Sequence, residues 1–183
     1  EYDKYRETLK EEFGIENPSR NDLTRYRLYM ELKDNGFHTL YSNTYIPKER
    51  LFTKDFDIEH IIPQAKLFDD SFSNKTLEAR QINIEKSNKT AYDYVAGKYG
   101  DEYLEDYQAR IEMLCSRGSI SRTKKAKLLM KEADIPQGFI ERDLRDTQYI
   151  SKKAKEMLEE IVPYVISTTG SVTDRLREDW QLV

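Results

Sequence analysis

The sequence has few of the residues that cross-link or interrupt a chain. Its 183 residues include one cysteine, Cys115, which excludes an internal disulfide and fits a reducing compartment. Seven glycines and five prolines favour helices over a many-turned β fold. Only two histidines are present, so a conventional structural zinc site is excluded. The sequence has neither an apolar run of membrane-spanning length nor a secretory signal, and we expect a cytoplasmic protein.

Positive charge is also scarce for a protein that would bind nucleic acid. The 30 basic and 34 acidic residues give a net charge of −4, whereas phosphate binding normally depends on Lys and Arg. Basic residues without an intervening acid are concentrated between positions 117 and 131. There we predict nucleic-acid contacts at Lys124, Lys125 and Lys127. The alternative is an ordinary solvated helix face.

Residues 55–88 carry the pattern around which the chain is organised. Alternating apolar and polar residues from Phe56 to Ile62 predict a short strand, which Pro63 ends because it cannot donate a ladder hydrogen bond. A polar loop follows at 64–73. A brief strand at 75–77 comes next, and then a helix from about Glu78 that carries Asn83.

The side chains in this stretch suggest metal-assisted hydrolysis of a phosphodiester. Glu59 offers a carboxylate and Asn83 an amide oxygen, and Mg²⁺ usually takes only one or two protein ligands. His60 can accept a proton from water near neutral pH. A packed histidine at a strand end is the alternative. Because side chains alternate along a strand, the strand must end or twist near Glu59 for both neighbours to flank one phosphate.

Helical patterns dominate the rest of the chain. Ser19 and Asp22 have the spacing of a capping box, Thr90 and Ser121 precede further helices, and Leu104 to Leu114 gives an apolar stripe. Between residues 150 and 161 another stripe predicts a helix, ended by Pro163. The predicted fold class is α+β and mostly helical, with a small ββα-metal centre on a helical body.

Three runs of sequence carry a family resemblance: DIEHIIPQ, DDSFSNKTL and NIEKSN. They resemble the HNH nuclease domain of type II CRISPR RNA-guided effectors, the Cas-nine family in its compact branch. The similarity continues through GFIERDLRDTQYISKKAKEML to VISTTGSVTDRLREDW, and so covers essentially the whole chain. By position, His60 resembles the general base, Glu59 and Asn83 the metal ligands, and Asn74 the residue that braces the loop. The family often has Asp where this chain has Glu59.

The resemblance implies an organisation and a partner set. Residues 1–35 would be the linker and helix entering the HNH domain, 36–140 the HNH domain, and 141–183 a linker helix with the start of the third RuvC segment. The chain begins with Glu1, and we expect it to be part of a larger effector with RuvC and recognition lobes. The domain would use Mg²⁺, with Mn²⁺ as a possible substitute, to cut the DNA strand paired to the guide RNA. The segments needed for RuvC activity are absent from this sequence.

Two other functions remain open from the sequence. A stand-alone HNH nuclease of the restriction or homing type would bind DNA with its own sequence specificity. A non-cleaving interaction or switch module would have lost its catalytic site. The intact set of Glu59, His60 and Asn83 argues against the second alternative.

Overall fold

The fold was analysed in a computed structural model. It describes residues 2–135 and, beyond them, residues 154, 155, 157–159, 161, 162 and 165. The chain divides into two compact units, Glu1–Gln137 and Gly138–Val183.

Six α-helices and one two-stranded sheet form the regular structure of residues 2–135. In chain order, the elements are α1 (Tyr2–Phe13), α2 (Arg20–Glu31), β1 (Phe56–His60), β2 (Lys75–Ala79), α3 (Arg80–Lys86), α4 (Ala91–Tyr99), α5 (Asp101–Ser116) and α6 (Arg122–Leu128). Short 3₁₀ helices occupy Lys33–Asn35, Lys48–Arg50, Phe72–Asn74 and Glu132–Asp134. The mostly helical α+β class is confirmed.

Side-chain caps fix where three helices begin, as the sequence predicts. Ser19 accepts from the backbone N–H of Asp22, whose carboxylate accepts from the N–H of Ser19, so the capping box before α2 is complete. Thr90 accepts from the N–H of Asp93 before α4, and Ser121 from that of Lys124 before α6. Each cap satisfies a backbone donor that the first helical turn leaves free.

The two strands form an antiparallel hairpin around the polar loop. Phe56 pairs with Ala79 at one end, and His60 pairs with Lys75 at the other. The second strand is longer than predicted: Glu78 lies in β2, and helix α3 begins only at Arg80. The carboxylate of Glu78 is buried and accepts from Ser42 and from backbone N–H groups, so tertiary contacts hold this residue in the strand.

Apolar side chains from every part of residues 2–135 join one core. Helix α2 faces it through Leu23 and Tyr26, and the stripe predicted on α5 faces it through Ile111 and Leu114. Residues 37–45 contribute Leu40 and Tyr41 to the core, and a β-bridge joins His38 to Tyr45.

The described part of the second unit is a short piece of helix. Lys155 and Glu159 form an ion pair one helical turn apart, 3.6 Å between charged atoms. From the apolar stripe predicted for this helix, Met157, Leu158 and Ile161 are exposed. Ile150 and Pro163, which mark the two ends of the predicted helix, lie outside the described residues. Among the described residues, no helix has the length and apolarity that crossing a membrane needs.

Candidate active site

The β1–loop–β2–α3 unit positions every residue of the predicted site. His60 ends β1, Asn74 precedes β2, and Asn83 lies in the middle of α3. Helix α3 packs against both strands of the hairpin. The order of elements is the one that the sequence predicts for a ββα centre.

Asn74 fastens the two ends of the loop to each other. Its Oδ1 accepts from the N–H of Ile62 at 3.0 Å, and its Nδ2 donates to the carbonyls of Ile62 and Asp69, both at 2.9 Å. The side chain is fully buried. Because leaving such amide groups unpaired in the interior is costly, these three bonds define the path of the loop. This geometry matches the bracing role that the resemblance implies.

His60 is held through one of its two ring nitrogens. Its Nε2 lies 2.9 Å from Asp70 Oδ1 and 3.2 Å from the amide nitrogen of Gln64. Asp70 also forms an ion pair with Lys75 at 2.8 Å, and the hydrogen bonds from Lys75 and His60 hold the pKa of this carboxyl below its usual range. An ionised carboxylate can only accept, so in the neutral ring Nε2–H donates to Asp70 and Nδ1 keeps its lone pair, while the Gln64 amide donates to Asp70 Oδ1 at 3.4 Å. Within the described residues, Nδ1 has no hydrogen-bond partner.

Glu59 lies on the opposite face of β1 and is buried. Ladder pairing continues through His60, so the two neighbouring side chains point to opposite sides of the strand, and the end or twist of the strand expected near Glu59 is not found in this structure. Lys86 Nζ lies 2.5 Å from one carboxylate oxygen of Glu59, and the Tyr41 hydroxyl donates to the other at 2.7 Å. Lys86 also donates to the backbone carbonyl of His60 at 2.9 Å. Burial raises the pKa of Glu59 to about 6, although Lys86 and Tyr41 act in the other direction.

Asn83 contacts an acidic residue other than Glu59. Its Nδ2 donates to Asp57 Oδ2 at 3.1 Å. Asp57 and Glu59 are two residues apart on one strand and therefore share a face. The structure thus places Glu59 and Asn83 on the same side of the hairpin, while their side chains bind different partners.

The donor set on this face fits a divalent metal ion bound by oxygen. In the part of the chain that the structure describes, no group of three His, Cys, Asp or Glu side chains is arranged as a closed metal cage. Mg²⁺ does not need such a cage, because it usually keeps several waters beside one or two protein ligands. Asn83 Oδ1 has no partner among the described residues, and a divalent ion could take the place of the Lys86 ammonium at Glu59.

The three lysines predicted to contact nucleic acid are paired with acidic side chains. Lys124 is buried against Glu31, so the expectation that the lysines of α6 face outward is wrong for this residue. Lys125 forms an ion pair with Glu112, and Lys127 forms one with Asp69. Ala126, between Lys125 and Lys127 on the same helix, is exposed.

Three further residues contact the predicted site residues but were not predicted from the sequence: Asp57, Asp70 and Lys86. Asp57 could have been predicted from the sequence, because residues two apart on a strand share a face and Asp57 therefore lies on the face of Glu59. Lys86 could have been found from its position three residues after Asn83, on the same side of a helix. Asp70 gives no such signal, because the course of an irregular loop decides whether it meets His60.

Comparison with known families matches two parts of the chain. Residues 39–92 match a family described as HNH endonuclease, which includes the hairpin and α3. Residues 134–183 match a family described as RuvC endonuclease subdomain 3.

Curated and solved relatives agree with these matches. The chain is 33% identical over 156 residues to the CRISPR-associated endonuclease Cas9 of Staphylococcus aureus, covering 78% of this chain and 15% of that protein. It is 30% identical over 169 residues to Cas9 1 of Streptococcus thermophilus, covering 86% and 14%. A crystal structure of Streptococcus thermophilus Cas9 in complex with AGGA PAM superposes with a TM-score of 0.60 at 25% identity, covering 98% of this chain and 18% of that one. The chain therefore spans about one seventh of the length of the curated relatives it matches.

Proposed function

Because this chain is an HNH endonuclease region of the Cas9 family, we propose that it cuts the DNA strand paired to a guide RNA by metal-dependent hydrolysis. The observation that carries the proposal is the position of His60 and its contact with Asp70. Its Nε2 is held by Asp70, and its Nδ1 lone pair is left available at the end of a strand. A general base requires such a positioned lone pair.

Each residue of the site has a role in this reaction. His60 Nδ1 takes a proton from the attacking water, and Asn74 keeps the loop in the shape that brings Asp70 to His60. Glu59 and Asn83 would hold the divalent ion, with Asp57 orienting the Asn83 amide through its 3.1 Å contact. For this ion and His60 to meet one phosphate, β1 would have to twist near Glu59. When bound, the ion neutralises charge on the scissile phosphate and stabilises the leaving oxygen. We propose Mg²⁺ as this ion, with Mn²⁺ as a substitute, since all the donors are oxygen atoms.

The substrate and partners follow from the proposed place of the chain in a larger effector. The target strand would arrive in a guide RNA–DNA heteroduplex, held by the recognition and RuvC parts of the protein. Products would be a 3′-hydroxyl and a 5′-phosphate. We propose the prokaryotic cytoplasm as the location, which the single cysteine and the bacterial relatives support.

Strand-resolved cleavage by the complete guide-loaded effector tests this function. With the target strand labelled, His60→Ala is expected to slow cutting by about 10²–10⁴-fold, the usual contribution of a general base. Guide-dependent DNA binding should persist. The matched control is His38→Ala, which removes the other histidine, whose Nδ1 contacts the Gly36 carbonyl. Equal cutting of the labelled strand by both variants would refute the assignment.

A further inference from the structure

A single lysine of α6 holds the loop that faces His60. Lys127 Nζ forms an ion pair with Asp69 and donates to Ser73 Oγ at 2.8 Å and to Ser71 Oγ at 3.2 Å. The lysine side chain is only 12% exposed and that of Asp69 23% exposed. The ammonium group thus has three partners in one loop, 54 to 58 residues away in sequence.

Asp69 is itself built into the fold of the loop. Its carboxylate accepts from the N–H of Ser71 at 2.9 Å, and its carbonyl accepts from Asn74 at 2.9 Å. The next residue is Asp70, which meets His60 Nε2 at 2.9 Å. Since consecutive Cα atoms are about 3.8 Å apart, a displacement of Asp69 must move Asp70 as well.

The chain segment around α6 makes two further contacts with the same loop. Lys66, near the start of the loop, forms an ion pair with Glu132 just after α6. Lys124 lies with its ammonium 4.3 Å from the centre of the Phe72 ring. The charges are complementary in opposite senses, with a loop lysine meeting a glutamate and a loop aspartate meeting a lysine. These two ion pairs fix how the loop lies along the α6 segment, because a shifted loop would bring like charges together.

We propose that Lys127 is a positioning residue of the catalytic site, which holds Asp69 so that the adjacent Asp70 meets His60 Nε2. This inference rests on the proposed role of His60 as the base. Lys127 touches neither His60 nor any reacting atom, and it acts through the loop. All three contacts of its ammonium are with the loop. We therefore assign Lys127 to supporting the site, whereas the sequence suggests a contact with nucleic acid.

The first test is Lys127→Met in the complete guide-loaded effector, with single-turnover cutting of the labelled target strand as the readout. A misplacement of about 1 Å can cost about 10²-fold in rate. We therefore expect the cleavage rate to fall about 10- to 100-fold while the affinity for target DNA stays unchanged. Lys48→Met is the matched control, because it removes the same charge and an exposed ion pair with Glu12. Lys127→Arg should restore part of the rate.

Loop-side variants separate positioning from a loss of folding. Asp69→Asn removes the same ion pair from the loop side and leaves α6 unchanged. If Lys127→Met folds poorly, Asp69→Asn still tests whether the ion pair supports cleavage. The Lys127→Met/Asp69→Asn double variant should be no slower than the slower single variant, because both remove one interaction. Hydrogen exchange of the 64–73 loop should quicken in each, with exchange of α5 unchanged.

Two results would overturn the inference. One is a cleavage rate of Lys127→Met equal to that of Lys48→Met, and the other is additive losses in the double variant. His60→Ala is measured in parallel. If His60→Ala also cuts normally, the proposed function itself fails. If only His60→Ala is inactive, the failure belongs to the positioning role of Lys127.

Discussion

At the scale of single residues, the side chains of Glu59 and His60 point to opposite faces of β1, because side chains alternate along a strand. His60 faces the polar loop, whereas Glu59 is buried with Lys86 and Tyr41. Both residues could be chosen from the sequence by their chemistry. The contacts that Tyr41 and Lys86 make with Glu59 could not be predicted, because they join residues 18 and 27 positions apart; the spacing of Lys86 from Asn83 indicates only which side of α3 it occupies.

The two asparagines of the site should respond differently to metal. Asn83→Ala removes a proposed metal ligand, so raised Mg²⁺ or Mn²⁺ should partly restore cleavage. Asn74→Ala breaks three hydrogen bonds inside the protein, so metal should not restore it, and the free energy of unfolding should fall by about 1–3 kcal/mol. A metal titration of both variants makes the comparison. Identical metal responses would contradict this division of roles.

The buried carboxyl of Glu78 should make stability depend on pH. Burial raises its pKa above the ordinary value, outweighing the hydrogen bonds from Ser42, Ala79 and Tyr41. A raised folded-state pKa stabilises the fold below the unfolded value, about 4.3, and that stabilisation is lost as pH rises through the folded value. Relative to Glu78→Gln, which does not titrate, the native chain should lose stability as pH rises from about 4.3 through the raised folded-state pKa of Glu78. Urea unfolding of both proteins measures it. A difference that is constant or grows with pH would contradict the expectation.

At the scale of elements, local signals placed most helices and the hairpin correctly. Caps at Ser19, Thr90 and Ser121 depend on neighbours in sequence, so the sequence suffices to find them. The first strand ends at His60, earlier than the predicted stop at Pro63. The end of β2 and the inward face of α6 depend on distant partners. Glu78 stays in the strand through contacts with Ser42, and Lys124 is drawn inward by Glu31.

We therefore expect Lys124 of α6 to stabilise the fold through its ion pair with Glu31. Its side chain is 1% exposed and pairs with Glu31, whose side chain is 17% exposed, so Lys124→Met leaves a largely buried carboxylate without this lysine. Removing one member of a buried pair typically costs about 3–5 kcal/mol in the free energy of unfolding. Lys10→Met, which breaks an exposed pair with Glu16, should cost less than about 1 kcal/mol. Chemical denaturation compares the two, and equal small losses would show that the Lys124 pair is dispensable.

At the scale of the whole molecule, charge and packing point to a nuclease region that other parts deliver to its substrate. The net charge is −4, and the three lysines predicted to contact DNA are paired with acidic residues of the same chain. Few cations are then left on α6 to bind phosphate strongly.

The isolated 183 residues should fold, yet bind DNA weakly and cleave it slowly. In the complete effector, docking would make the attack effectively intramolecular, and such positioning can contribute about 7–11 kcal/mol at best. The isolated chain lacks that contribution. Gel-shift and nicking assays at near-physiological salt measure both properties. Tight, sequence-specific binding with rapid cleavage would favour a stand-alone nuclease.

The most direct test of the account is a crystal structure of the complete effector with target DNA and Mg²⁺. We expect one ion, about 2.0–2.1 Å from a carboxylate oxygen of Glu59 and from Asn83 Oδ1, with Glu59 released from Lys86. His60 Nδ1 should lie within hydrogen-bond reach of a water in line with the scissile phosphate. An ion bound elsewhere, with Glu59 still paired to Lys86 and His60 turned away from the phosphate, would contradict the account.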